Sequence, residues 1–213
     1  MFKIEFRERR GWIAAVMAAG LFAAAPLHAE ERSPSVPASD EARQVVGQVT
    51  ATGDNHGMPF VVVDKKAAKV FVFDAGGALV GDSSVLLGLA RGDDSAPGVG
   101  NKKLSDIRPE ERTTPAGRFV ASLGYGLGKQ DILWVDYDSA LALHRVSSAS
   151  SKEGRLQRMS STSPLDRRIT FGCINVPAAF YDRVIQPMFS RTSGVVYILP
   201  EIKPVAEVFD FHA

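Results

Sequence analysis

The chain has a single cysteine, Cys173, in the stretch RRITFGCINVP that runs from Arg167 to Pro177. A free thiol, with a pKa near about 8.5, is a useful nucleophile only when a neighbouring base or cation draws off its proton. The histidines that could do so are His28, His56, His144 and His212. His28 falls in a removable leader, His212 adjoins the C-terminal residue, and His56 lies in the turn-rich GDNHGMP, so these three have ordinary solvent readings. His144 ends the alternating run ALALH. Ala140, Ala142 and His144 then share one face of a strand, and Leu141 and Leu143 the other. Small alanines beside the imidazole leave space for another group. The competing readings are a core histidine bound to a backbone carbonyl and a cysteine that acts only as a small buried hydrophobe.

The destination of the chain bears on that choice. Lys3, Arg7, Arg9 and Arg10 outweigh Glu5 and Glu8 and precede the uncharged run GWIAAVMAAGLFAAAP, and Ala29 closes LHA before EERSPS. Residues 1–29 therefore read as a cleaved export signal. The apolar run falls short of the about 20 residues of a spanning helix, and an uncleaved signal is the alternative that would tether the domain to a membrane. Arg9-Arg10 leaves the twin-arginine and general secretory routes both open. In a periplasm or cell envelope, an unpaired cysteine reads as a reactive thiol or an intermolecular link. The signal takes four of the 25 Lys+Arg and two of the 24 Asp+Glu, leaving a net charge of about −1, which is no footprint for nucleic acid.

The remaining chain of roughly 180 residues suits one domain with a full core. Residues 30–44, EERSPSVPASDEARQ, read as a disordered leader, residues 45–205 as the folded domain and 206–213 as a tail. The runs at Phe60–Val63, Lys69–Asp74, Ala78–Gly88, Gly117–Tyr125, Ile132–Tyr137, Ala140–Val146 and Gly194–Pro200 are strand signals rich in Val and aromatics. Asp74–Gly77, DAGG, has the residues a hairpin turn demands. A mostly antiparallel sheet follows. One helix is predicted from Pro177, with Phe180, Val184, Ile185 and Met188 at helical spacing and Pro187 stopping or kinking it. The fold class is mainly β with one or two helices. Two long polar loops, Ala90–Pro115 and Ser147–Asp166, read as functional or mobile, and the second, poor in apolar anchors, reads as a cover between His144 and Cys173.

Three stretches taken together carry a resemblance: TTPAGRF (Thr113–Phe119), the strand ending in His144, and TFGCIN (Thr170–Asn175). From about Pro59 to Leu199 the chain resembles the catalytic domain of the L,D-transpeptidases, the YkuD-type enzymes of the bacterial cell wall. The resemblance implies a YkuD-type sandwich or barrel-like β fold, with Cys173 as nucleophile and His144 as its base. The Arg145 main-chain carbonyl would orient the imidazole, and the N–H groups of Gly172 and Cys173 would face a developing oxyanion. Thr170, Phe171, Asn175 and Arg168 would line the substrate. That substrate would be a peptidoglycan stem peptide, cleaved before a terminal D-amino acid through a thioester that an amine acceptor resolves, with no cofactor. Water as acceptor would make the protein an L,D-carboxypeptidase, and loss of catalysis a peptidoglycan-binding module. A redox sensor would lack a resolving cysteine.

Two features depart from the family pattern. Phe171 stands where the family has a second histidine, and the 29 residues from His144 to Cys173 exceed the usual spacing. A surface insertion of that size is thermodynamically mild. Elsewhere, GYGLGK (Gly124–Lys129) lacks the span of a phosphate loop and reads as a strand-end turn. RGD at Arg91–Asp93 reads as a chance tripeptide. No His, Cys and carboxylate cluster has metal-ligand spacing. Arg155, Arg158, Arg167 and Arg168 read as a solvated face, with a guanidinium near the site able to hold a substrate carboxylate.

Overall fold

In the computed structural model, which describes residues 38–126, 129–147 and 151–211, the Val- and aromatic-rich runs form one large sheet. Its strands are β1 (Phe60–Asp64), β2 (Lys69–Phe73), β3 (Leu79–Ser84), β5 (Gly117–Tyr125), β6 (Asp131–Asp136), β7 (Leu141–Arg145), β9 (Ile174–Val176) and β10 (Gly194–Ile198). They lie in the order β3-β2-β1-β10-β5-β6-β7-β9, and two short strands, β4 (Leu87–Gly88) and β8 (Arg168–Thr170), pair apart from it. Within the large sheet pairing is antiparallel except for β1 with β10 and β7 with β9, and β4 pairs with β8 in parallel. The architecture is mainly β with few helices. Residues 1–29, read as an export signal, most of the stretch read as a leader and His212 lie outside the described residues, and no helix among those described is long and apolar enough to cross a membrane.

The continuous apolar run of β1 is explained by burial on both faces. Val61, Val63, Val70 and Val72 face one core with Leu133, Leu143, Ile174, Tyr181 and Ile185. Phe60, Val62, Phe71 and Phe73 face a second with Val45, Val49, Tyr197 and Phe209. The second core corrects the reading of both chain ends. Helix α1 (Asp40–Thr52) starts inside the stretch read as leader, with Ser39 Oγ accepting the Ala42 N–H and Gly53 closing the end in the left-handed region. Its Ala42, Val45 and Val49 bury one stripe at i, i+3 and i+7, the spacing of an amphipathic helix. At the other end, α5 (Val205–Val208) carries Phe209 into contact with Tyr197, so residues 206–209 are part of the domain.

The helix expected after Pro177 is a composite: α3 (Ala178–Phe180), a π turn (Tyr181–Ile185) and α4 (Gln186–Phe189) run on as one segment. Pro187 does not stop it. The wider π turn directly before Pro187 takes up the register that a residue without an N–H disrupts. Asp74–Gly77 is the tight turn between β2 and β3, with the Gly77 N–H donating to Asp74 O at 3.1 Å.

The loop 90–115 is fastened by charge. Lys65, at the end of β1, is fully buried and donates to Gly92 O at 2.6 Å, Asp93 Oδ1 at 2.8 Å and Thr114 O at 2.9 Å. Asp93 also accepts the N–H groups of Glu201, Ile202 and Lys203, so the RGD tripeptide ends in an internal ligand of Lys65. Arg168, read from sequence as substrate-facing or solvated, is buried in this cluster, bonded to Glu201 Oε2 at 2.6 Å and to Lys65 O at 3.1 Å. Arg167 is buried too and donates to Ala68 O at 3.2 Å. The sequence reading of these two arginines is corrected on both counts: their guanidiniums satisfy internal acceptors.

Burial alone would raise the Asp93 carboxyl, but the Lys65 bond and the three backbone donors outweigh it and hold it down to about 2. A depressed carboxyl contributes stability above its ordinary pKa near about 4, and that contribution is lost as pH falls toward 2. Asp93→Asn is expected to destabilise the fold by about 3–5 kcal/mol, the scale for breaking a buried pair. It should also flatten the loss of stability between pH 4 and 2. Urea denaturation of both proteins across that range checks this, and parallel pH curves would remove Asp93 as the acid-sensitive group.

Candidate active site

Pairing of β7 with β9 sets the strand that carries His144 beside the strand that Cys173 leads into. His144 lies opposite Asn175 in the parallel register, and Cys173 precedes β9 on the turn that leaves β8. The alternation of β7 is as its sequence dictates, with Leu141 and Leu143 in the core and His144 on the other face. Ala140 belongs to the turn before the strand, at φ 52°, and its carbonyl faces the thiol, with Cys173 Sγ donating at 3.6 Å.

The turn 170–173 is built by two threonines. Thr170 Oγ1 accepts the Gly172 N–H at 3.2 Å and donates to Cys173 O at 2.7 Å. Thr114 Oγ1 donates to Gly172 O at 2.6 Å and accepts the Gly88 N–H at 2.8 Å. Gly172 has φ 132°, and a Cβ there would lie 2.9 Å from Thr113 O, so only glycine fits the crossing of these two segments. Thr170 therefore serves the turn, and the Gly172 N–H expected at an oxyanion is taken by Thr170 Oγ1. The Cys173 N–H faces its own thiol.

Around His144 each hydrogen bond has a forced direction. Nδ1 lies 2.9 Å from Arg145 O, which can only accept, so Nδ1 carries a proton. Nε2 lies 3.0 Å from Asn175 Nδ2. Asn175 is completely buried, and its Oδ1 accepts from Arg155 Nη1 at 2.8 Å. The Arg145 side chain turns the other way, paired with Asp131 and Asp182 and stacked over the Tyr181 ring. Burial lowers the imidazole pKa, the Arg145 carbonyl opposes this, and the Arg155 charge lowers it further. Burial raises the Cys173 thiol, against smaller lowering by the Ala142 backbone and Arg155. Both shifts favour the un-ionised resting forms, a neutral imidazole and a protonated thiol.

Arg155 carries no local mark of a site residue in the sequence, where it reads as part of a solvated face. It sits on α2 (Arg155–Met159), inside the stretch read as a cover poor in apolar anchors. Met159 of that helix packs with Leu86, Val146 and Ile169, so this part of the segment is anchored in a small core of its own. Phe171 is half-buried, with the Arg112 guanidinium 4.1 Å above its ring. Among the described residues no group of three His, Cys, Asp or Glu side chains has the geometry of a metal site. His56 is exposed, away from these bonds, at φ 51° in its turn.

No protein-family model and no curated protein matches the chain. Solved structures do. The L,D-transpeptidase from Xylanimonas cellulosilytica overlaps 66% of this chain and 60% of its own at 16% identity and a TM-score of 0.40. The helical cell shape determining protein Pgp2 from Campylobacter jejuni overlaps 74% and 55% at 15% identity and a TM-score of 0.41. The chain spans about half, 49%, of the Ldtfm-avibactam carbamoyl enzyme, at 14% identity and a TM-score of 0.39. At such identities and scores the functional reading stands on the site itself.

With the thiol raised by burial, thiolate forms only as pH climbs through and beyond the ordinary range near about 8.5. Alkylation of Cys173 by iodoacetamide should therefore keep accelerating above pH 8.5. A plateau below pH 8 would reveal a preformed thiolate and contradict the resting pair described above.

Proposed function

We propose that the protein is a cysteine-dependent L,D-transpeptidase acting on peptidoglycan stem peptides outside the cytoplasm, in the periplasm or cell envelope. The observation that supports this reading most is the register of β7 on β9, which seats a neutral imidazole beside a turn that presents a single, partly exposed thiol. The motifs TTPAGRF and TFGCIN, which resemble that family, supply the residues on both sides of the turn.

In this reading Cys173 attacks the carbonyl of the third stem residue. The S–C bond forms as the thiol proton passes to His144 Nε2 and the carbonyl electrons move onto oxygen, toward the Cys173 N–H. Collapse breaks the C–N bond, and the proton on Nε2 goes to the departing D-amino acid. A thioester remains on Cys173. An amine from a second stem adds to it by the reverse sequence and restores the thiol. Because both partners rest un-ionised, proton transfer accompanies attack instead of preceding it. Thr170 and Asn175 act by holding the turn and the imidazole, and Phe171 offers an apolar wall. Water in place of the amine would give an L,D-carboxypeptidase from the same thioester.

Mixing the mature protein with tetrapeptide stems and measuring its intact mass tests the reading. An adduct on Cys173, absent in Cys173→Ala with its fold retained, is expected, and the released products separate transfer from hydrolysis. No adduct with a folded wild type would favour a binding module. His144→Gln should slow acylation by about 10² or more, the scale of a positioned general base. His56→Gln should leave the rate unchanged, and equal effects of the two would mean the wrong histidine has been assigned.

A further inference from the structure

A neutral imidazole has two tautomers, and only one of its nitrogens can serve as base. What decides between them here is a chain of four groups that can be read from either end. At one end Arg155 is a pure donor. Its Nη1 lies 2.8 Å from the Asn175 side chain and therefore selects the amide oxygen. The amide nitrogen must then face His144 Nε2, 3.0 Å away. At the other end the Arg145 carbonyl is a pure acceptor at 2.9 Å from Nδ1. Neither end can be reversed, so the direction of every bond between them is set.

The supports of this chain are rigid. Asn175 is held on one side by its register with His144 and on the other by Leu86, whose N–H and carbonyl both bond to its backbone at 2.9 Å. Arg155 is fixed by Glu153 Oε2 on its Nε at 2.6 Å, and its side chain is 14% exposed. The helix that carries it is held by the burial of Met159. The charged groups around the imidazole are Arg155 with its partner Glu153 on the inserted segment and Arg145 on its own strand. Arg145 is neutralised by Asp131 of β6 and Asp182 of the helical segment 178–189.

We propose that Arg155 is a positioning residue for His144: by clamping the Asn175 amide, it fixes the imidazole with its proton on Nδ1 and keeps Nε2 as the basic nitrogen. The inference rests on the reading of His144 and Cys173 as the reacting pair. It gives the long segment between β7 and β8 a part in the chemistry that a passive insertion would not have. The Arg155 charge acts in the same sense, lowering both the imidazole and the thiol. Without Arg155 the amide is free to turn its oxygen toward Nε2. That orientation favours a proton on Nε2 and so removes the free lone pair. Transfer of the thiol proton to Nε2 displaces the Asn175 N–H, and a correctly directed amide yields a base, whereas a reversed amide yields none.

The test uses the full chain with Arg155→Ala and Arg155→Lys. Long-range 15N–1H correlation of the imidazole reads the tautomer and titration of His144, iodoacetamide reads the thiol, and thermal melting reads the fold. The wild type should show Nδ1–H. Arg155→Ala should show a mixture of tautomers, a raised His144 pKa and alkylation about tenfold slower at pH 7, as a one-unit rise in thiol pKa gives. Arg155→Lys keeps a donor and the charge and should largely restore all three. If Arg155→Ala fails to fold, Arg155→Lys carries the test, and a wild-type tautomer in the lysine variant with a reversed one under Asn175→Asp supports the clamp. A wild-type tautomer and titration in folded Arg155→Ala overturns it. Neither readout needs a stem peptide. A protein that shifts its tautomer as expected yet never acylates therefore retains the clamp and loses the proposed function.

Discussion

A single buried ammonium ties the loop regions of this protein to its sheet. Lys65 directs all three of its donors to Gly92 O, Asp93 and Thr114 O, and an unpaired charge at that depth would not be tolerated. The three bonds reach two ends of the long polar segment 90–115. They draw Thr114 down so that its hydroxyl can bridge Gly88 N–H and Gly172 O. The turn that carries Cys173 is therefore tied through Thr114 to the Lys65 cluster. Desolvation lowers the Lys65 pKa, and Asp93 and Glu201 pull it back, which is why the cluster needs both carboxylates.

The site itself is arranged by direction more than by charge. Hydrogen-bond donors and acceptors around His144 are matched end to end, and the charges nearby are already paired, Arg155 with Glu153 and Arg145 with Asp131 and Asp182. This gives a site that rests without ions in a buried place, where an ion pair would have to bear the cost of desolvation. The consequence is a thiol that burial keeps weighted toward its protonated form. In the proposed reaction, the bond from Sγ to Ala140 O and that from Asn175 to Nε2 are the two contacts that would have to yield.

Much of this was legible in the sequence where a period or a forced residue type carries the information. The alternation of ALALH set the face of His144, DAGG gave the hairpin, and the Val-rich runs gave the central strands. Signals for α1 were present but weak: Ser39 before an acidic turn, Gly53 after it, and a Val45–Val49 stripe in a stretch otherwise polar. What could not be read was long-range pairing of polar groups. Nothing local distinguishes Asp93 in RGD, Arg168 in RRIT or Arg155 in EGRLQ from surface charges. Their burial follows from where Glu201, Lys65 and Asn175 arrive in space. The same holds for the Gly172 N–H, whose capture by Thr170 depends on the turn's own geometry.

Phe171 can be understood on the same footing. Its neighbour is the Arg112 guanidinium, anchored on Ile107 O by Nε at 3.2 Å and Nη2 at 3.1 Å and lying 4.1 Å above the ring. A cation over an aromatic face is favourable by about 0.5–1 kcal/mol at a partly exposed site. A histidine in that position would meet the same cation with a ring that loses its attraction on protonation, and a neutral imidazole there would have its own pKa driven down. With Arg112 in place, an aromatic ring without a titrating nitrogen is the better partner. In the proposed function the role of base then falls to His144 alone, and the directed bonds around that one imidazole have no second histidine to stand in for it.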